Sequence, residues 1–199
     1  MSLDPVDLAA ELIRFDTINP PGQEAACTGY LARLLTGAGF HCETVLLAEG
    51  RPNLVARIGG NSDKLPIAFT GHTDTVPLGA RAWSAPPHAG LVKDGRLWGR
   101  GASDMKSGVA AFVVAALRHA GRLEGTPGIV LYITAGEETG CEGAFALARR
   151  GMQGHHPVPS PHVRCRRAVS TRETAAVTSG SMAESGNGAT LLTLISQST

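Results

Sequence analysis

The stretch LPIAFTGHTDTVP, from Leu65 to Pro77, carries the strongest indication of the fold. Its first half is a short, nearly all-apolar run, which is typical of a strand buried on both faces of a sheet. Its second half is a turn that contains His72 and Asp74. A second apolar run, Ile129 to Thr134, leads in the same way into the acidic turn GEETG. Both runs predict core strands that deliver polar side chains to the carboxyl edge of an open sheet, where such sheets bind ligands.

Helical and strand patterns alternate from Asp4 to Arg150. The pair Asp4-Pro5 predicts the start of a first helix, because Asp caps a helix and Pro fits its first position. The further elements that we predict are a helix ending at Gly37, strands at Cys42–Leu47 and Asn53–Ile58, a hairpin at Leu91–Leu97, and helices at Ser107–Ala120 and Glu142–Arg150. This alternation predicts a three-layer α/β/α sandwich with a mostly parallel central sheet.

Composition limits the classes of partner. With 18 basic and 17 acidic side chains and a formal net charge of +1, the chain has no electrostatic footprint for nucleic acid or an anionic membrane. No apolar run reaches the roughly 20 residues of a membrane span, and acids stand where a signal peptide has its basic end. The four cysteines lack CxxC spacing, which is typical of reduced thiols. We therefore expect a cytoplasmic protein.

The pattern changes after about Gln153. The run HHPVPSPH, residues 155–162, is incompatible with a helix or a central strand. Further along, only Ala189–Ile195 retains a pattern compatible with a short strand or helix. We therefore divide the chain into a globular unit, residues 1–152, and a low-periodicity, poorly ordered tail, residues 153–199. A lost reading frame near Gln153 is our hypothesis for the tail.

Three polar segments stand at predicted strand ends or helix starts. In the His-x-Asp turn, His72 can bind a metal while Asp74 orients the imidazole ring. Asp104 can bridge two cations, and one of Glu137 and Glu138 can bind a metal while the other acts as general base. Each segment alone also fits a simpler interpretation: an exposed loop histidine, a helix N-cap, or two solvated acids at a helix start. Together they predict a hydrolytic metal site, since histidine and carboxylates without cysteine are typical of such sites.

Three segments resemble the motifs of one family: GHTDTVP at Gly71–Pro77, DGRLWGRGASDMKSGVAA at Asp94–Ala111, and ITAGEETGCEGA at Ile133–Ala144. This is the acetylornithine deacetylase, succinyl-diaminopimelate desuccinylase and aminoacylase family of co-catalytic metallohydrolases. The resemblance runs from about Pro5 to Gly151 in order and spacing, and Asn53-Leu54-Val55 and Trp83 also match. It implies a zinc-exopeptidase-like fold, two Zn²⁺ or Co²⁺ ions, and hydrolysis of the amide bond in a small N-acyl amino acid or short peptide.

The resemblance also implies individual roles. His72 would bind one metal, Asp104 would bridge both, and Glu138 would bind the second. Glu137 would be the general base toward a metal-activated water, and Asp74 would orient His72. The peptide bond after Asp104 would be cis.

Some parts of the family pattern have no match. Family members are longer, with an inserted cap domain that usually forms a homodimer, and with two further ligands: an acid soon after the Glu-Glu segment and a histidine near the C-terminus. The window from His155 to Arg166 contains no acid. Four residues in or near it match no known ligand spacing: His155, His156, His162 and Cys165. His88 stands where the family often has Phe, and we interpret it as a rim residue.

We therefore expect an incomplete catalytic domain, without the cap and its dimer surface, and with weak or no activity. Two alternatives remain open. One is a di-zinc aminopeptidase or carboxypeptidase that acts on small peptides. The other is a non-catalytic metal-binding remnant.

Overall fold

The computed structural model describes residues 3–60, 64 and 66–150, together with two short strands at 168–170 and 193–195. The helices are α1 Pro5–Arg14, α2 Ala25–Gly37, α3 Ser107–His119 and α4 Glu142–Arg149. The strands are β1 His41–Ala48, β2 Arg51–Ile58, β3 Ile67–His72, β4 Leu91–Lys93, β5 Arg96–Trp98, β6 Ile129–Thr134, β7 Ala168–Ser170 and β8 Thr193–Ile195. Short helical turns lie at Ala102–Lys106 and Ala120–Arg122. Within these parts of the chain, no helix combines the length and apolar character needed to cross a bilayer.

The central sheet has five strands in the order β1-β2-β6-β3-β7. The pairs β3–β6 and β3–β7 are parallel, whereas β1–β2 and β2–β6 are antiparallel. The α/β fold is confirmed, but the sheet is mixed where the sequence predicted mostly parallel pairing. The β1–β2 pair is antiparallel because its connection consists only of Glu49 and Gly50, which is too short for a parallel crossover. The antiparallel pairing of β2 with β6 then joins this hairpin to the parallel strands.

Helices cover both faces of this sheet. Successive residues of a strand point to opposite faces, so Leu54 and Leu131 join one core cluster while Val55 and Val130 join another. The first cluster includes buried side chains of α1, α2 and α3, and the second includes Leu147 of α4. Each fully buried aliphatic side chain contributes about 1.5–3 kcal/mol. The three predicted layers are therefore present.

The parallel pair β3–β6 positions the loops that follow it. In their register, His72 lies opposite Thr134, so both strands end at the same edge of the sheet. Gly71 allows α3 to pack closely against this end, because a Cβ at that position would lie 2.8 Å from Met105 Cε and 3.0 Å from Phe112 Cε1. The loops after β3 and β6 and the turn before α3 therefore converge on one place.

The predicted low-periodicity tail, residues 153–199, falls mostly outside the described residues. Two strands within it are described. Ala168–Ser170 adds to the central sheet beside β3, and Thr193–Ile195 adds to the hairpin beside β5. The sequence allowed the second strand, within Ala189–Ile195, but did not predict the first.

Candidate metal centre

Three side chains that the sequence predicted as metal ligands lie together. One nitrogen of His72 and one carboxylate oxygen each of Asp104 and Glu138 are all within 4.8 Å of one another. His72 ends β3, Asp104 lies in the turn before α3, and Glu138 lies in the loop after β6. His72 is buried, whereas 51% of the Asp104 side chain is exposed. The group is therefore anchored on one side and open to solvent on the other.

The imidazole of His72 is held by contacts at both ring nitrogens. Its Nδ1 lies 3.0 Å from the main-chain oxygen of Asp74. Because a carbonyl oxygen only accepts, Nδ1 donates there, and Nε2 faces Asp104 Oδ1 at 3.2 Å. Burial lowers the pKa of His72, but its hydrogen bonds to Asp104 and Asp74 outweigh burial and raise this pKa to about 10. The surroundings of Nε2 therefore favour a positive charge, whether a proton or a metal cation carries it.

The buried Asp74 carboxylate contacts the acidic loop as well as His72. Its Oδ1 accepts a hydrogen bond from the main-chain N–H of Glu137 at 3.1 Å and lies 3.4 Å from His72 Nδ1. Its Oδ2 accepts from the main-chain N–H of Glu138 at 3.1 Å. Burial raises the pKa of Asp74, but hydrogen bonds from His72 and Asn19 outweigh burial and lower this pKa to about 2. The ionised carboxylate thus joins the loop after β3 to the loop after β6.

Two buried asparagines complete this framework. The Asn19 amide donates to Asp74 Oδ2 at 2.9 Å and to Thr139 Oγ1 at 3.0 Å. Asn53 accepts at Oδ1 from the main-chain N–H of Ala135 at 3.0 Å, which fixes the start of the acidic loop. The sequence indicated Asn53 only through the family resemblance, and it did not indicate a role for Asn19. No local signal identifies Asn19, because an asparagine before Pro-Pro-Gly is typical of a turn.

Asp104 does not cap a helix. No side chain caps either the Ala102–Lys106 turn or α3, and Asp104 itself is non-helical, with φ −123° and ψ 99°. The peptide bond between Asp104 and Met105 is cis, as the resemblance implied. The N-cap interpretation of Asp104 is therefore wrong. Beneath the turn, the buried Lys106 donates from Nζ to the main-chain oxygen of Phe15 at 2.7 Å.

The two adjacent glutamates occupy different environments. Glu138 belongs to the three-ligand group, and burial together with the negative charges of Asp104 and Glu137 raises its pKa. Glu137 lies beside the group, with Oε2 3.9 Å from His72 Nε2, and its Oε1 accepts from Cys141 Sγ at 3.8 Å. Adjacent positions in one turn thus present two carboxylates that are able to take separate tasks.

His88 is outside the ligand group, with Nε2 3.8 Å from Asp16 Oδ1. His155, His156, His162 and Cys165 fall outside the described residues. Of the remaining cysteines, Cys27, Cys42 and Cys141 form no disulfide.

The donor set of the centre suits a transition-metal cation. Imidazole nitrogen with carboxylate oxygens is compatible with Zn²⁺, Co²⁺ or Mn²⁺. Catalytic zinc sites hold the ion by three protein ligands and keep a further position open, whereas structural sites are closed by four. The described residues supply three ligands and an exposed side, so their arrangement fits the catalytic type.

Comparison with known sequences gives one consistent family. A family model described as peptidase family M20/M25/M40 matches residues 68–184. A curated relative, the succinyl-diaminopimelate desuccinylase of Cereibacter sphaeroides, is 45% identical over 149 residues, which cover 74% of this chain and 38% of the relative. The chain thus spans less than two fifths of the length of that relative.

Solved structures show the same fold. Human carnosine dipeptidase 1 superposes with a TM-score of 0.62 at 23% identity, over 73% of this chain and 34% of that one. The Bacillus subtilis YXEP protein, described as a dinuclear metal binding peptidase from the M20 family, superposes with a TM-score of 0.53 at 18% identity, over 75% and 39% of the two chains. Identities this low support the fold alone.

Proposed function

Because the family model matches more than half of the chain, the chain belongs to peptidase family M20/M25/M40, and on this premise we propose that it supplies metal ligands and a general base for amide hydrolysis. The observation that carries the proposal is the group of His72, Asp104 and Glu138, whose ligand atoms lie within 4.8 Å of one another. The second carboxylate of the acidic turn, Glu137, lies beside this group.

In this proposal each residue has one task. His72 would hold one metal ion and Glu138 a second, and Asp104 would be shared between them, which its exposed carboxylate allows. Two Zn²⁺ or Co²⁺ ions would activate a water molecule and polarise the amide carbonyl. Glu137 accepts the proton of that water and passes it to the departing nitrogen. Asp74 keeps the imidazole of His72 in the orientation that leaves Nε2 for the metal.

The proposed substrate is a small N-acyl amino acid. The support is the 45% identity to a succinyl-diaminopimelate desuccinylase, which favours an acylated amino acid over a free peptide. We further propose that residues 1–152 form part of a catalytic domain. A cytoplasmic location belongs to the same proposal, because a reducing compartment suits the free cysteines.

Two conservative substitutions test the assignment. Purified wild-type chain and the variants Glu138→Gln and Glu137→Gln are titrated with Co²⁺, and hydrolysis of N-succinyl and N-acetyl amino acids is measured in parallel. Glu138→Gln should weaken Co²⁺ binding at least about tenfold, because it removes a charged ligand. Glu137→Gln should keep the affinity within about twofold and abolish any hydrolysis, because it removes the base.

The control is Glu49→Gln, in the exposed β1–β2 connection, which should match the wild type in both measurements. A wild-type chain that binds no Co²⁺ would refute the proposed metal centre. Equal losses of affinity in both variants would refute the division of tasks between the two glutamates. Hydrolysis of free dipeptides but not of acylated amino acids would refute the proposed substrate class.

A further inference from the structure

A buried ion pair lies directly behind the acidic loop. The guanidinium of Arg51, at the start of β2, contacts Glu24 through Nε at 3.3 Å and Nη2 at 3.2 Å. Its Nη1 reaches Glu142 Oε2, at the start of α4, at 3.2 Å. The side chain of Glu24 is fully buried and that of Arg51 is 13% exposed. One guanidinium therefore ties the segment before α2 to the start of α4, and the acidic loop lies between β6 and that helix.

Two glycines make room for this guanidinium. A Cβ on Gly22 would collide with Arg51 Nε, and a Cβ on Gly136 would lie 3.0 Å from Arg51 Nη2 and 2.9 Å from Glu142 Oε2. Both glycines have positive φ, 76° and 70°, which L side chains rarely adopt. Arg51 is thus packed against Gly136, the residue immediately before Glu137.

A chain of hydrogen bonds continues from Glu142 to the metal centre. Glu142 Oε2 accepts from Thr139 Oγ1 at 3.0 Å. The same hydroxyl accepts from the Asn19 amide at 3.0 Å, and that amide also donates to Asp74 Oδ2 at 2.9 Å. The donors and acceptors match at every step. This series of hydrogen bonds ends at the Asp74 carboxylate, which accepts from the main-chain N–H groups of Glu137 and Glu138.

We propose that Arg51 is a positioning residue for the metal centre: through Gly136, Glu142 and Thr139 it fixes where the acidic loop presents its two carboxylates. A lysine in its place keeps the charge but has no planar fork to contact two carboxylates and pack on a glycine at once. Loss of the fork lets the loop shift relative to His72 and Asp104. The inference rests on the proposed function, since it requires that this loop hold a metal ligand.

The test compares Co²⁺ binding in two variants and two matched controls. Arg51→Lys removes the fork, and Thr139→Val removes the hydroxyl of the hydrogen-bond chain at an exposed position. The controls are Arg57→Lys, on the same strand with its guanidinium 6.0 Å from the Tyr132 ring, and Thr126→Val, whose hydroxyl bonds are confined to its own turn. Affinity and the visible spectrum of bound Co²⁺ are measured well below the melting temperature of each protein.

We expect Arg51→Lys and Thr139→Val each to weaken Co²⁺ binding about tenfold and to alter the spectrum, as loss of residues that orient metal ligands does. Both controls should stay within about twofold of the wild type. The double variant Arg51→Lys/Thr139→Val should lose no more than the worse single variant, because both changes act on one chain of contacts. A general loss of stability would leave the spectrum of bound Co²⁺ unchanged.

Three outcomes would overturn the inference: wild-type affinity in Arg51→Lys, wild-type affinity in Thr139→Val, or losses that multiply to about 100-fold in the double variant. If Arg51→Lys does not fold, the comparison of Co²⁺ affinity and spectrum between Thr139→Val and Thr126→Val tests the inference by itself. A wild-type chain that binds no Co²⁺ would refute the proposed function itself. Wild-type binding with unaffected variants would refute only the role of Arg51.

Discussion

Replacing Asp74 by asparagine should destabilise the fold as well as the metal centre. The carboxylate is fully buried. Its Oδ1 accepts from the main-chain N–H of Glu137 and lies 3.4 Å from His72 Nδ1, and its Oδ2 accepts from Glu138 and Asn19. An asparagine keeps one acceptor oxygen and places an NH₂ group at the other position. The less costly orientation puts this NH₂ at the Oδ1 position, because the main-chain N–H of Glu137 then loses its acceptor while His72 Nδ1 keeps the main-chain oxygen of Asp74 at 3.0 Å.

The free-energy cost follows from these contacts. The main-chain N–H of Glu137 loses its acceptor, which costs about 1–3 kcal/mol for a buried donor. The two bonds at the remaining oxygen lose the charge of their acceptor, which costs about 1 kcal/mol each. We therefore expect Asp74→Asn to lower the free energy of unfolding by about 3–5 kcal/mol, a large part of the stability of a typical domain.

Urea unfolding at pH 7 measures this change directly. The matched control is Asp94→Asn, because Asp94 is exposed in the β4–β5 turn with φ 53°, a conformation that asparagine tolerates. The control should stay within about 0.5 kcal/mol of the wild type. A loss below about 1 kcal/mol for Asp74→Asn would show that the carboxylate does not hold the acidic loop in the way described.

Two further predictions concern the core and a helix start. Burial is the main cause that raises the pKa of Cys27 from 9.0 to about 11, so this thiol should resist iodoacetamide at pH 8 until the chain is unfolded, as peptide mapping will show. The stability that depends on the neutral thiol is complete below pH 9 and is lost as the pH rises toward 11. Over this range the urea midpoint of Cys27→Val should therefore fall less steeply with pH than that of the wild type. Equal slopes for the two proteins would contradict the argument. Gly143→Ala should cost about 1–3 kcal/mol because its Cβ would collide with Ala135 O and Asn53 Oδ1. Gly29→Ala, in the middle of α2, should instead raise the free energy of unfolding by about 0.5–1 kcal/mol. If urea unfolding shows that both substitutions change this free energy in the same direction, the reasoning is wrong.

The parts of the fold that sequence predicted are those encoded by local pattern. Apolar runs identified β3 and β6, and the Asp94-Gly95 pair identified the β4–β5 hairpin, where both residues have positive φ. The convergence of His72 with Glu138 was also predictable, because strands that end at one sheet edge bring their loops together. Membership of the family is confirmed on the segments that showed the resemblance. The individual catalytic roles stay predictions.

The parts that sequence did not predict depend on contacts between distant positions. Asn19 bonds Asp74 and Thr139 across 55 and 120 positions, and Arg51 bonds Glu142 across 91. Periodicity carries no information about such pairs, since each residue fits its own local pattern equally well as a turn, strand or helix residue. The same limit explains why the pairing of β2 with β6, which makes the sheet mixed, was not expected.

Charge at the centre explains why the surrounding contacts are so extensive. Carboxylates of Asp74, Asp104, Glu137 and Glu138 surround a single imidazole, and their mutual repulsion is one cause of the raised pKa of Glu138. Such crowding opposes folding unless positive charge compensates it. Asp74 is stabilised by donors from three segments. Asp104 and Glu138 repel each other across the predicted ligand group, so a divalent cation that binds both of them should also stabilise the fold.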